Sequence, residues 1–297
     1  MRRRPRPQLR PRPLKEGNLF ARKWVTTSDD TASIDLATVI AISVLAYTIA
    51  NVVHEGLGHG GATLLSGARP TMFNAIFFNY DESTASRAAQ RCISAAGSIA
   101  NLLVGMPILA ILPRVRSTRC RYFLWLFAAV NVLTAFGYFC YSGVTGIGDW
   151  IHVVDGLGPP LLLRGGLAAI GAILYFVVAP RLLMPGLDPF LGRTRKVRER
   201  RARALSLVPY FAGGIAMVLA GMMNPLGWKL VLISAVAASF GGTSLLAWYP
   251  AIPREPSPAT PEPPPGLKRS AGWIFASVVV FVVFVFVLGP GIGSLTP

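Results

Sequence analysis

The most regular feature of the chain is a series of seven apolar runs separated by segments that are rich in arginine, proline or glycine. A membrane-spanning helix needs about 20 predominantly apolar residues, so the pattern predicts seven transmembrane helices and an all-α polytopic membrane protein. Tryptophan and tyrosine residues near several run ends fit an interfacial aromatic belt. The runs cover residues 34–53, 93–112, 122–141, 161–178, 205–223, 230–248 and 273–288.

Composition and charge support this class and set an orientation. The chain has 297 residues, of which 53% are hydrophobic and 14% charged, with a formal net charge of +16. Of the 29 basic residues, 24 lie before the first run or between runs two and three, four and five, or six and seven. By the positive-inside rule these segments are cytoplasmic, which places the N-terminus inside and the C-terminus outside. The expected partner is therefore a lipid bilayer, with no nucleic acid, and the localisation is a membrane, of bacterial type by composition.

The runs divide the chain into five segments. Residues 1–33 form a basic Arg/Pro-rich arm and residues 250–271 a Pro-rich linker, both without the composition to bury a core. Residues 34–156 hold spans one to three, residues 157–249 hold spans four to six, and residues 272–297 hold span seven and a tail. The three cysteines, an odd number, predict neither a disulfide framework nor a thiolate zinc site.

One motif carries chemistry, the sequence His54-Glu55-Gly56-Leu57-Gly58-His59 at the end of the first run. Ionisable groups are costly inside a membrane, so they mark candidate functional sites. In H-E-x-x-H, two histidines four apart share a helix face and bind Zn²⁺, while the glutamate acts on the metal-bound water. Here the two histidines are five residues apart, and a regular α-helix would not place them on one face. A π-bulge would restore a common face, and the two glycines favour it.

A catalytic zinc site usually has three protein ligands, so a third is needed. Asp149 follows the third run and is the preferred candidate, with His152 or Asp155 as alternatives. The competing interpretation is that these aspartates stabilise turns in a Gly-rich loop. Asp188, in a turn after the fourth run, is a weaker candidate.

These residues resemble the site-2 protease family of intramembrane zinc metalloproteases over residues 34–156. The resemblance rests on the His-Glu motif at the end of span one, on the segment 70–80 after it, on Ala95-Ala96-Gly97-Ser98-Ile99-Ala100-Asn101, and on Asp149 after span three. The chain departs from that family by the longer histidine spacing, by Ser98 where proline is usual, and by lacking the Asn-x-x-Pro before the aspartate. The spacing itself is similar to the H-E-x-x-G-H helix of the dipeptidyl peptidase III family.

The resemblance implies hydrolysis of peptide bonds in or near transmembrane segments of membrane protein substrates. It implies that His54, His59 and Asp149 bind Zn²⁺ and that Glu55 is the catalytic base. Residues 71–80 either bind substrate by strand addition or form an interfacial loop, and Asn101 either orients substrate or packs helices. Family members usually direct the motif toward the cytoplasm, whereas the charge bias of this chain directs it outward. The side of the membrane that the active site faces therefore stays undecided.

Two alternatives to a protease remain. One is a non-proteolytic membrane protein that keeps a metal-binding site, as an inactive relative, a transport component or a partner-binding protein. The other is a zinc hydrolase of lipids or small substrates. Substrate identity, regulation and oligomeric state are not predicted.

Overall fold

The structure is a computed structural model that describes residues 33–252, 255–258 and 260–294. Seven helices in this part of the chain are long and apolar enough to cross a membrane, which confirms the predicted all-α polytopic fold. Three short strands and one short helix complete it. In chain order the elements are α1 (Leu36–Leu65), β1 (Arg69–Phe73), β2 (Phe78–Asp81), α2 (Arg87–Arg114), α3 (Thr118–Thr145), α4 (Asp149–Val154), α5 (Pro160–Phe190), α6 (Arg195–Gly221), α7 (Trp228–Ala251), α8 (Ala271–Leu288) and β3 (Ile292–Gly293).

Polar residues between the apolar runs determine where the first spans begin. The Asp35 carboxylate accepts hydrogen bonds from the Thr38 amide at 2.8 Å and the Thr38 hydroxyl at 2.7 Å, capping α1. The Ser86 and Ser117 hydroxyls cap α2 and α3 in the same way. Such side chains satisfy amide groups that have no partner inside the helix. α1 extends 12 residues beyond the predicted end of the first run, so the motif lies within a helix.

Helices α1 and α3 form the centre of the bundle. A larger share of each of these two helices is buried than of any of the other five spans. α1 packs against α2, α3, α6 and α8, whereas α3 packs against α2 and α5 as well as α1. The His-Glu motif thus lies on one of the two central helices, with His54, Glu55 and His59 buried. The largest fully buried side chains include Ile42 on α1 and Tyr122, Trp125, Leu126 and Leu133 on α3.

The bundle has two distinct ends. At one end, which we call the basic end, the start of α1 pairs with the segment before α8 through the Asp35 amide and the Leu267 carbonyl, 2.8 Å apart. Arg119 at the start of α3 donates to the Lys268 carbonyl there. At the opposite end, which we call the hairpin end, β1, β2 and β3 form an antiparallel sheet in the order β2-β1-β3. The seven spans thus place the arginine-rich segments at one end and the His-Glu motif toward the other.

The turn between β1 and β2 inserts into the helical bundle. Ala75 and Ile76 are 1% and 2% exposed. The Ala75 amide donates to the Leu288 carbonyl at 2.7 Å, the Asn51 side chain donates to the Ala75 carbonyl, and the Ser234 hydroxyl donates to the Ile76 carbonyl at 2.6 Å. Non-helical backbone at membrane depth is stable only when protein groups satisfy it. These bonds fix the hairpin in position beside the motif.

The described part of the Pro-rich linker contacts the helical bundle. Arg193 donates to the carbonyls of Thr260 and Pro258, at 2.9 and 3.0 Å, and Leu267 is fully buried. A proline-rich segment lacks many amide donors but keeps every carbonyl acceptor, so Arg193, just before α6, anchors it. The predicted basic arm lies outside the described residues, apart from residue 33.

Candidate metal centre

The motif adopts the backbone that its spacing requires. Residues Val53–Gly60 of α1 form a π-helix, so the predicted π-bulge is present. Its i to i+5 hydrogen bonding brings residues five apart to the same side. His54 and His59 are both buried, and their Nε2 atoms lie 3.2 Å apart. The inserted residue therefore changes the helix type without separating the two imidazoles.

Asp149 completes a triangle with these histidines. Its Oδ2 atom lies 3.2 Å from His54 Nε2 and 3.5 Å from His59 Nε2. This oxygen is buried and has no hydrogen-bond partner among the described residues other than the two imidazoles. The three residues form a group that could hold a metal ion. Among the alternatives that the sequence leaves open, the structure thus brings Asp149 to the two histidines.

The hydrogen bonds behind each imidazole determine its tautomer. His59 Nδ1 lies 2.7 Å from the Ile93 carbonyl oxygen, which only accepts, so Nδ1 is the donor. His54 Nδ1 donates to Asn101 Oδ1 at 2.6 Å, because the Asn101 amide nitrogen faces the Ala50 carbonyl at 3.2 Å. A ligating histidine almost always donates its other ring N–H in this manner. Both Nε2 atoms therefore direct lone pairs at the same point.

This arrangement could hold a cation. Two nitrogen lone pairs and a carboxylate oxygen converge within 3.5 Å, and neutral imidazoles of this tautomer place no proton between them. Burial raises the pKa of Asp149, whereas attraction to the imidazoles, when these are protonated, lowers the pKa below its usual value. The carboxylate is therefore ionised. A bound metal ion would neutralise it and share all three electron pairs.

A glycine leaves the space for the imidazoles. A Cβ atom at Gly97 on α2 would lie 2.6 Å from both Nε2 atoms. A Cβ atom at Gly58 would lie 2.5 Å from the Gly97 Cα atom, so the two helices cross with their backbones in contact. Small residues allow such close packing. Neither position accepts a side chain without displacing the centre.

A tight turn and a short anchored helix position Asp149. The turn from α3 contains Gly146 and Gly148 at φ +72° and +97°, a region that favours glycine. On α4, the Trp150 ring stacks on Phe139 with centroids 4.1 Å apart, and its indole N–H donates to the Ser98 hydroxyl at 3.2 Å. Ser98 thus helps to position the helix that carries Asp149.

The other predicted residues occupy different places. His152 is exposed on α4 and lines the cleft described below, outside the triangle. Asp155 pairs with Arg87, and its carbonyl accepts from Arg91 at 2.8 Å. Asp188 is at the basic end, where it forms a buried ion pair with Arg198 at 2.6 Å. None of the three joins the metal group within the described residues.

Asn101 lies behind His54 and is fully buried. Its amide also donates to Asn131 Oδ1 at 2.7 Å, and Asn131 donates to the Phe127 carbonyl at 2.8 Å. These contacts give Asn101 a positioning role for His54. Orientation of substrate by Asn101 stays a prediction that its location does not favour.

Glu55 faces a cleft of about 360 Å³ next to the centre. It is 5% exposed, and its carboxylate makes no hydrogen bond or ion pair in the part of the chain that the structure describes. β2 forms one wall of the cleft, and its edge away from β1 pairs with no other described strand. The cleft is lined by Glu55, His59, Asp149 and His152 together with residues 77–80, Tyr138 and Tyr141.

Sequence reasoning missed Tyr138. Its ring stacks on the His54 imidazole, with centroids 4.9 Å apart and an interplanar angle of 30°, and it also lines the cleft. An aromatic residue within an apolar span has no local feature that indicates such a contact. Gly97 and Ser98 were part of the small-residue run in span two, but their contacts depend on helix crossing.

Comparisons with family models, with curated proteins and with solved structures found no match to this chain. The centre is therefore described by its own geometry: two imidazoles and a carboxylate converging beside a buried glutamate and an open cleft.

Proposed function

We propose that the chain is an intramembrane zinc metalloprotease that hydrolyses peptide bonds in or near transmembrane segments of membrane proteins. The observation that carries the proposal is the convergence of His54, His59 and Asp149 beside Glu55. Ligands held at ~2.0–2.1 Å in a tetrahedral zinc site are about 3.3 Å apart, and the three observed separations are 3.2, 3.2 and 3.5 Å. Two imidazoles and one carboxylate also match the donor set of hydrolytic zinc sites.

The zinc ion, when bound, would polarise the substrate carbonyl and lower the pKa of a water molecule toward about 7. Glu55 takes a proton from this water and delivers it to the nitrogen of the leaving amine. The hydroxyl oxygen is added to the carbonyl carbon as the C–N bond breaks, so one water is consumed for each bond. Glu55 suits this role because no described side chain competes for its carboxylate.

Substrate binding would use the free edge of β2. An extended segment can add to an exposed strand edge, where main-chain hydrogen bonds hold it. The backbone of Phe78, Asn79 and Tyr80 borders the cleft that contains Glu55. β3, a strand of only two residues, pairs with the other edge of β1, through Met72 with Gly293 and Phe73 with Ile292. Strand addition to the longer β2 would hold the substrate on the side of the metal centre.

The cleft would receive water from the hairpin end. His152, Arg87 and Gln90 line its outer part and provide polar groups on the way to the centre. The arginine-rich segments lie at the opposite end of the bundle. Applying the positive-inside rule, we place the active site on the extracytoplasmic side of a cell membrane.

The test uses the full-length protein in phosphatidylcholine vesicles with a panel of synthetic transmembrane peptides. We expect zinc-dependent cleavage by the wild type. Glu55→Gln should bind zinc and lose activity, while His54→Ala should lose both. Glu199→Gln, the same change at a partly exposed position of the basic end, is the matched control and should cleave normally. Cleavage by Glu55→Gln at the wild-type rate would refute the proposed base. Zinc binding without cleavage of any peptide by the wild type would favour the non-proteolytic alternative.

A further inference from the structure

A second cavity lies between α3, α5 and α7, beside the metal cleft. Its volume is about 300 Å³, at the lower end of the ~300–1,000 Å³ typical of ligand pockets. Tyr138, Tyr141 and Ile233 line both cavities. We call this second cavity the apolar crevice; Cys140, Phe176, Ala238 and Gly241 are among its other walls.

The walls of the apolar crevice carry no charged side chain, and the polar groups named here are satisfied internally. The Tyr141 hydroxyl donates to the Ile233 carbonyl at 3.0 Å. The Tyr175 hydroxyl lies 3.1 Å from the Ser244 hydroxyl and accepts from the Leu245 amide at 3.0 Å. These tyrosines therefore present ring faces, not hydroxyls, to an occupant. An apolar group gains by entering such a space, because it leaves other apolar surroundings for close packing without desolvating a polar partner.

The position of the apolar crevice directly beside the metal cleft limits which group can occupy it. The Tyr138 ring lies between the apolar crevice and the centre, since it lines the crevice and also stacks on the His54 imidazole, with centroids 4.9 Å apart. A group that fills the apolar crevice while its backbone passes Glu55 must be attached very near the bond that is cleaved. A side chain on a residue adjacent to that bond meets this condition.

We propose that the apolar crevice is a specificity pocket that binds one large apolar side chain of the substrate next to the cleaved bond. This rests on the proposed function and deepens it. It names the substrate class as membrane-embedded segments that carry a bulky apolar residue, such as phenylalanine or leucine, beside the cleavage site. Segments with alanine at that position bind more weakly. A lipid acyl chain is the competing occupant.

Protection of Cys140 from alkylation measures the binding of a peptide in the apolar crevice without any cleavage. Full-length protein carrying Cys92→Ser, Cys120→Ser and Glu55→Gln keeps Cys140 as its sole cysteine, and its alkylation by N-ethylmaleimide is followed in phosphatidylcholine vesicles. The probes are two Leu/Ala-rich transmembrane peptides that differ by one Phe or Ala. We expect the Phe peptide to slow alkylation at least about tenfold, and the Ala peptide much less. Equal rates with both peptides, or protection by oleic acid alone, would overturn the proposal.

A variant that obstructs the apolar crevice provides a second test of the proposal. Gly241 lines the apolar crevice and a Cβ atom there meets no atom within 4 Å, so we expect Gly241→Leu to narrow the crevice. Gly166→Leu is the matched control, because Gly166 on α5 is equally unobstructed and lies outside the apolar crevice. In the cysteine and Glu55→Gln background, Gly241→Leu should abolish protection by the Phe peptide, and Gly166→Leu should preserve it. Full protection in the Gly241→Leu variant would contradict the assignment.

The two proposals fail in different ways. If the Phe peptide protects Cys140 but the protein with Glu55 intact cleaves neither peptide, the protease proposal fails and the binding pocket stands. If the protein cleaves both peptides equally and neither protects Cys140, the protease proposal stands and the specificity pocket fails.

Discussion

Substitution of Gly97 by alanine tests whether the close approach of α2 to the imidazoles is what makes the metal centre possible. The added methyl carbon would lie 2.6 Å from both Nε2 atoms and 2.7 Å from His54 Cε1. Favourable non-bonded contacts of carbon are about 3.5 Å or longer, so each ring must move by roughly 0.9 Å. The rings are held from behind, His54 by Tyr138 and Asn101, and His59 by the Ile93 carbonyl.

The expected loss of zinc affinity follows from this displacement. Plausible metal sites keep their ligand distances within about 0.2 Å of ideal values, and a shift several times larger disrupts the triangle. Loss of a single supporting contact costs about 10–100-fold in affinity. Because both imidazoles are displaced, we expect Gly97→Ala to weaken zinc binding at least about 100-fold, or ~2.7 kcal/mol.

The assay is zinc competition with a chelator of known affinity, on purified full-length protein, together with thermal unfolding of the metal-free form. Gly61→Ala is the control, because Gly61 is on the same helix as the motif and a Cβ atom there meets nothing within 4 Å. That change should leave zinc affinity unaltered. A Gly97→Ala protein that binds one zinc with wild-type affinity would refute the reasoning.

Three further predictions follow from named contacts. Asn101→Ala should lower zinc affinity by about 10–100-fold through loss of the His54 Nδ1 contact, measured by the same competition; an unchanged affinity would remove its positioning role. Arg198→Ala should reduce the free energy of unfolding by about 3 kcal/mol, since it leaves Asp188 buried and unpaired; in detergent-titrated unfolding, Arg195→Ala, from an exposed pair, should not shift the midpoint. Zinc occupancy should fall as pH drops below about 6, because protonated imidazoles cannot bind metal; occupancy that stays constant to pH 4 would contradict histidine ligation.

Local sequence features were sufficient to predict the spans and the motif geometry. Long apolar runs determine membrane helices because the bilayer imposes their length, and all seven lie at the positions that composition indicates. The five-residue spacing of His54 and His59 leaves few backbone solutions, so the π-helix could be inferred. Asp149 was identifiable because acids are rare in this chain.

Contacts between distant parts of the chain were not predictable in the same way. β3 joins the sheet, and the Asn74 side chain donates to the Gly289 carbonyl 215 residues later, yet residues 289–294 show no strand pattern. The contacts of the linker with Arg193 and of Tyr138 with His54 depend on helix packing as well. A single sequence indicates which residues are unusual, whereas packing determines which of them meet.

Zinc K-edge X-ray absorption of the purified wild-type protein tests the central claim most directly. The account predicts one zinc per chain, coordinated only by nitrogen and oxygen at about 2.0–2.1 Å with a scattering signature of two imidazoles. His59→Ala and Asp149→Ala should each lose this signal, and Glu55→Gln should retain it. Absence of bound zinc in the wild type, or sulfur ligation at about 2.3 Å, would contradict the account.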